Sequence, residues 1–170
     1  ATGSSLKGLS IPGATDVNVV IADDVLTGKA TVGESVLVVG GGLVGLETAE
    51  FLAAKGKKVF LIARRPELGT KIFPLVRSAI VQKVKEAGVV SYVSARLEKV
   101  EGKVVTLNVD GSSELLKVDT IVQAAGRESE QALAKELEGK VPEIHVIGDA
   151  VSPRRITDAI HEGHRVGRTL

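Results

Sequence analysis

The chain has 170 residues, with 22 basic and 21 acidic side chains and a formal net charge of +1. That length fits one full domain, or one domain plus a piece of another, and the near-neutral charge gives no electrostatic reason to expect nucleic acid or an anionic membrane as partner. Three Phe, one Tyr and no Trp leave no stacking platform for single-stranded nucleic acid, and the lack of Cys removes disulfides, thiolate zinc sites and redox thiols within the chain.

No apolar run approaches the ~20 residues that span a bilayer. The opening residues do not read as a secretory signal, and with no cysteine the expectation is a cytoplasmic protein. The sequence holds no Met, not even a starting one, so a processed chain or an excised piece of a longer one is expected.

Residues 1–15 are rich in Gly, Ser and Thr, and Ile11-Pro12-Gly13 is turn punctuation. Asn18 to Ile21 reads as a short strand and Ala22 to Leu26 as a helical turn, with Asp23 or Asp24 near its start. The most informative stretch is Ser35 to Arg65. A short apolar run, Val36 to Val39, ends in three glycines. A helical stretch from Leu43 to Lys55 follows, then Gly56, then a second apolar run from Val59 to Ile62.

Gly40, Gly42 and Gly45 therefore make G-x-G-x-x-G between a strand and a helix. The first glycine permits a tight turn, the second lets backbone approach a pyrophosphate, and the third lets helix and strand pack closely. The helix start, Gly41 to Val44 included, offers N–H groups and partial positive charge to phosphates. The pattern predicts dinucleotide binding.

Arg65-Pro66 and Leu68-Gly69 break structure after the second strand. From Pro74 to Ala87 the positions of Leu75, Ile80, Val81 and Val84 predict a helix with one buried face, stopped by Gly88. Val89 to Val93 reads as a third strand. Arg96 to Val100, Val104 to Val109 and Glu114 to Val118 are short and alternating, with Glu101-Gly102 and Asp110-Gly111 as hairpin signals. A three-stranded antiparallel meander is expected there. Thr120 to Ala124 is another buried strand, leading to Gly126-Arg127. Glu130 to Leu137 reads as helix, Ile144 to Ile147 as a strand closing on Gly148-Asp149, and Ile156 to Thr169 as a terminal helix.

The fold class expected is α/β. A Rossmann-type parallel sheet carries a three-stranded antiparallel meander in one crossover, and a C-terminal strand–helix piece follows.

In a Rossmann unit the end of the second strand faces the adenosine ribose, where an acid selects NAD and a basic residue accommodates a 2′-phosphate. Here the region reads Ile62-Ala63-Arg64-Arg65, without a carboxylate at the strand end. Guanidinium groups pair bidentately with phosphate, so NADP(H) is favoured over NAD(H), with Lys71 a further candidate. The same residues also read as a solvated loop. Glu47 sits early in the helix, where a carboxylate suits the helix dipole; from spacing alone that role and a catalytic one stand together.

His145, His161 and His164 are the only histidines. His161 and His164 fall i, i+3 on the terminal helix, but no third ligand is evident, so surface or packing roles are expected. Ser4, Ser5, Ser112 and Ser113 read as loop residues without a nucleophile elbow. Arg154-Arg155 reads either as a phosphate contact or as a solvated loop.

Taken together, Ala1-Thr2-Gly3, Ile11-Pro12-Gly13, GGGLVGLE, Ala124-Ala125-Gly126-Arg127 and Val146-Ile147-Gly148-Asp149-Ala150 resemble the two-dinucleotide-binding flavoproteins. This is the superfamily of glutathione and thioredoxin reductases. The ending IGDAVSPRRITDAIHEG resembles the subgroup of 2,4-dienoyl-CoA reductase and trimethylamine or histamine dehydrogenase, which carry a barrel ahead of this region. The absence of Cys-x-x-Cys argues against the thioredoxin reductase branch.

The resemblance implies a nicotinamide-nucleotide domain, 14–128, inserted into an FAD-side domain represented by 1–13 and 129–170. It implies that Asp149, beside Gly148, accepts hydrogen bonds from the flavin's ribityl hydroxyls, and that the helix from Ile156 points its start at the flavin ring. It places Glu47 near the nicotinamide, and Ala125 and Gly126 at a backbone turn beside the nucleotide. An FAD-binding βαβ unit and the barrel are expected upstream, leaving half of an FAD site here. The function expected is NAD(P)H binding for hydride transfer to flavin. The alternative is a non-catalytic module that holds a structural or regulatory nucleotide such as ADP.

Overall fold

The computed structural model describes residues 2–6, 13, 14 and 17–170. Ala1 of the Ala-Thr-Gly stretch and Ile11-Pro12 of the turn signal lie outside the described residues. The chain divides into two compact units, one over 8–125 and one joining 1–7 to 126–170.

The first strand, β1 (Ser4–Leu6), belongs to the smaller unit. The larger unit then runs β2 (Asn18–Ile21), α1 (Ala22–Leu26), β3 (Ser35–Val39), α2 (Leu43–Ala54), β4 (Lys58–Ile62), α3 (Pro74–Glu86) and β5 (Val90–Tyr92). The meander β6 (Ala95–Glu101), β7 (Val104–Val109) and β8 (Ser112–Lys117) follows, and β9 (Thr120–Gln123) completes it. Strands β2, β9, β3, β4 and β5 form one sheet in that order, with all four pairings parallel. The meander is a separate antiparallel sheet.

A parallel sheet is buried on both faces, so its strands are continuous apolar runs whose side chains alternate between two covers. Val36, Val38, Val59, Leu61 and Val122 pack with Ala22, Leu46, Ala49, Leu52, Ile80 and Val84 of the helices. Leu37, Phe60, Ile62 and Ile121 point the other way, against Ala95, Val100, Val105 and Leu107 of the meander and Val118 just after it. The result is three layers: helices, parallel sheet, meander. The turn Asp110-Gly111 between β7 and β8 has positive φ at both residues, 52° and 87°, as a two-residue hairpin of this type requires.

Helix α3 departs from expectation. Ile80 and Val84 are buried, but Leu75 is 75% exposed and Val76 50%. Only the later turns of the helix join the apolar cluster on the sheet; its first turn does not.

In the smaller unit β1 pairs antiparallel with β10 (Arg127–Ser129), Ser4 opposite Ser129 and Leu6 opposite Arg127. This ladder was not expected from sequence, and it places Ser4 and Ser5 in a strand rather than a loop. Ser112 and Ser113, also read as loop residues, lie in β8. The helix expected from Glu130 is α4 (Ala132–Leu137), and the Glu130 carboxylate accepts the Ala132 N–H at 3.0 Å. Residues 144–147, read as a strand, pair with no strand among the described residues; without a ladder their backbone has no sheet to join. A 3₁₀ turn at Gly148–Ala150 and the terminal helix α5 (Ile156–Gly167) complete the unit.

Candidate functional site

The sheet order makes a topological switch. From β3 the chain steps outward to β4 and β5, then returns to place β9 on the opposite side of β3. Ligands of open α/β sheets bind beyond the carboxyl ends of the strands at such a point. Here the glycine turn after β3 and Ala124-Ala125 after β9 stand side by side. The Ala124 N–H donates to the Val39 carbonyl at 3.0 Å, and the Gly40 N–H donates to that of Ile62 at 3.0 Å.

The glycines of the turn are required for different reasons. Gly40 has φ +135°, and a Cβ there would stand 2.8 Å from the Ala124 carbonyl carbon and 2.9 Å from the Ala125 Cβ. A Cβ on Gly45 would run into the Gly40 carbonyl oxygen, so only glycine lets α2 start this close to the turn. Gly41 is confined by Ala63 and by Leu68, whose Cδ2 would lie 2.9 Å from a Cβ.

Gly42 differs from the other three. It is the N-cap of α2, is exposed, has φ −84°, and a Cβ there would meet nothing within 4 Å. No side chain caps the helix start, and Leu43 is 43% exposed while Val44 packs against the core. The start of α2 thus has no side-chain cap and no atom within 4 Å of a Gly42 Cβ, and helix starts of this kind leave N–H groups without intrahelical partners.

The segment after β4 folds back over this turn. Ala63 is buried, and its N–H and carbonyl bridge to Tyr92 and Ala95. The Gly69 N–H donates to the Gly41 carbonyl at 2.7 Å. Arg64 and Arg65 are exposed. The Arg65 Nη1 donates to Thr70 Oγ1 at 3.0 Å, and the Arg64 guanidinium has no partner among the described residues. Lys71 is exposed in the same segment, and Glu47 is exposed one turn into α2. Gly126, with φ +79°, begins the 126–170 part of the smaller unit. The fold thus joins Gly40–Gly45, Ala63 and the segment bearing Arg64, Arg65 and Lys71.

The smaller unit has a cavity of about 400 Å³ lined by Gly3, Ile147, Gly148, Asp149, Arg154 and Ile156, together with Ala159. Asp149 Oδ1 accepts the Arg154 N–H at 3.0 Å, and Oδ2 accepts the Ser4 hydroxyl at 3.2 Å. Glu162 of α5 accepts the Gly148 N–H at 2.7 Å and the Arg154 Nη2 at 2.6 Å. The Arg154 hydrogen bond, then the Gly148 N–H, hold the Glu162 carboxyl below its ordinary range, and the hydrogen bond to Glu162 raises the Arg154 guanidinium. Arg154 is thus tied to this turn, with Nε also donating to the Ser152 carbonyl.

Sequence reading missed Leu68, Gly69 and Arg77 as parts of the larger site and Glu162 as part of the smaller one. Gly69 was legible only as a breaker, and the contacts of Arg77 and Glu162 depend on tertiary placement. His161 and His164 lie on α5 as expected, and His145 Nε2 is 2.8 Å from Glu143. Among the described residues no three His, Cys, Asp or Glu side chains are grouped to hold a metal ion.

The family model described as pyridine nucleotide-disulphide oxidoreductase matches residues 1–163. The chain belongs to that family. This pyridine nucleotide-disulphide oxidoreductase chain is similar to the NADH oxidase of Thermoanaerobacter brockii, 35% identical over 176 residues, covering 98% of the chain and 26% of the relative. It is 32% identical over 173 residues to the cinnamate reductase of Clostridium sporogenes, covering 100% of the chain and 26% of that enzyme. Among solved structures, a 2-naphthoyl-CoA reductase in complex with 2-naphthoyl-CoA superposes with a TM-score of 0.91 at 26% identity, covering 100% of this chain and 26% of that one. The chain therefore spans about a quarter of the length of these relatives. Its 170 residues contain no cysteine, so the disulphide of the family name has no counterpart within them.

Proposed function

We propose that the 8–125 unit binds NADPH and presents it to a flavin held by a longer protein of which this chain forms part. The observation that carries the reading is the open glycine turn at Gly42, at the switch point, with the uncapped start of α2 behind it. Gly40, Gly41 and Gly45 shape the backbone; Gly42, Leu43 and Val44 supply N–H groups to the pyrophosphate. Arg64 and Arg65, with Lys71, pair with the 2′-phosphate as guanidinium and ammonium groups do. Ala125 and Glu47 are assigned to the nicotinamide in this reading, and Gly126 is assigned the same role from the family resemblance alone.

The smaller unit is the FAD-side portion in this reading. Asp149 retains acceptor capacity beyond its two bonds, since an ionised carboxylate has about four lone-pair sites, and the cavity beside it admits part of a polyhydroxyl chain. Ile156 and Ile160 of α5 are 78% and 60% exposed; the rest of the FAD domain would cover them. When both are bound, nicotinamide supplies a hydride and flavin takes it, while the protein binds, orients and excludes water.

The test is equilibrium titration with NADPH, NADH and ADP. NADPH is expected to bind at least several-fold tighter than NADH, and the Arg64→Ala, Arg65→Ala double variant is expected to abolish the difference. Equal affinity of the unaltered chain for NADPH and NADH overturns the selectivity, and ADP binding as well as either identifies a module that merely holds a nucleotide.

A further inference from the structure

We propose that Arg77 is a positioning residue for nucleotide specificity, which it sets by drawing Glu67 away from the 2′-phosphate subsite; the proposal rests on the reading of Arg64 and Arg65 above. Residues 63–73 contain Arg64, Arg65 and Lys71 and a single carboxylate, Glu67. A free carboxylate in the segment after the second Rossmann strand accepts from a ribose 2′-hydroxyl and so favours NADH, and it repels a dianionic 2′-phosphate.

Glu67 is not free. Its Oε2 lies 2.6 Å from Nη2 of Arg77, on the first turn of α3, and the Arg77 Nε donates to the Leu68 carbonyl at 2.7 Å. One guanidinium thus holds both the carboxylate and the backbone of the following residue. Gly69 then ties the segment to the phosphate turn through Gly41. The side of Arg77 packs there as well, its Cγ standing 3.3 Å from where a Gly69 Cβ would be. The pairing ties the one carboxylate of residues 63–73 to a cation of α3.

A simple loop clamp would affect both nucleotides alike, whereas a specificity role changes their ratio. The test is titration of the full chain with NADPH and with NADH, followed by nicotinamide fluorescence. It uses the unaltered protein, Arg77→Met (which keeps the apolar stem), Glu67→Gln, and the two together; thermal unfolding confirms folding of each. Arg77→Met is expected to lower the NADPH-over-NADH preference about five-fold, and adding Glu67→Gln to restore most of it, because the released charge is the cause. If the unaltered chain shows no preference, the 2′-phosphate reading fails and this proposal with it. A normal preference that survives Arg77→Met overturns the role of Arg77 alone. Equal weakening of both nucleotides, without rescue by Glu67→Gln, also overturns it and reduces Arg77 to a clamp.

Discussion

If the proposed reading holds, Gly42 and Gly45 separate binding from folding three residues apart. A methyl on Gly45 has to displace the Gly40 carbonyl, and such overpacking costs ~1–3 kcal/mol or more. Gly45→Ala should therefore lower the denaturant midpoint by a corresponding amount. Gly42 has an ordinary φ and open space before it, so Gly42→Ala should leave the midpoint within ~0.5 kcal/mol of the unaltered chain. The same methyl would stand where a pyrophosphate is to approach, so NADPH affinity should fall at least ten-fold, ~1.4 kcal/mol. A Gly42→Ala chain that binds NADPH normally would show that the turn is only a structural join.

Helices α3 and α5 each carry a prediction that follows from what they touch. Val84 is 1% exposed, and Leu75 is 75% exposed. Val84→Ala should cost ~2 kcal/mol in a denaturant melt, while Leu75→Ala should stay within ~0.5 kcal/mol. In α5, Glu162 fastens the Gly148 turn while ionised. Its folded-state pKa is depressed by Arg154 and the Gly148 N–H. Its stabilisation is therefore whole at neutral pH, and is lost as pH falls through the depressed value below the ordinary glutamate range. Glu162→Gln should speed Gly148 amide exchange at neutral pH, and the difference should vanish once the pH is low enough to protonate Glu162 in the unaltered chain. A difference that persists at low pH would locate the effect in something other than the ion pair.

These elements also show what was readable before any coordinates. The βαβ unit was legible because each strand is a contiguous apolar run and each turn carries its glycine, so local chemistry and tertiary role coincide. The meander was legible from alternation and Asp110-Gly111. The β1–β10 ladder was not: two three-residue strands more than a hundred positions apart carry no local signature. The run 144–147 has the apolar content of a strand but lacks a neighbour, and a strand is defined by its partner. Leu75 matched the helical period, yet period says only which face is apolar, not how far the underlying sheet extends. At the candidate site the glycines and Arg64-Arg65 were visible as a motif. Arg77 was not, because its partners, Glu67 and Leu68, meet it only once α3 docks.

The two units differ in how much they bury. The larger has apolar clusters on both sides of its sheet; among the described residues of the smaller, only Gly148 and Ala150 are buried. Local stability follows buried apolar packing. Amides of β3, β4 and β9 should therefore be the slowest to exchange with solvent, and those of α5 should exchange much faster in the chain alone. Comparable protection in α5 would mean that the smaller unit is stabilised by contacts of another kind. This asymmetry accords with a chain covering about a quarter of relatives such as the cinnamate reductase of Clostridium sporogenes.

The most direct trial of the account is a titration of the ¹⁵N-labelled chain with NADPH and, separately, NADH, followed by backbone amide shifts. Both nucleotides should move the amides of Gly41 to Gly45, and NADPH alone should strongly move those of Arg64 to Lys71. Glycine amides that stay still while signals elsewhere shift would contradict the account.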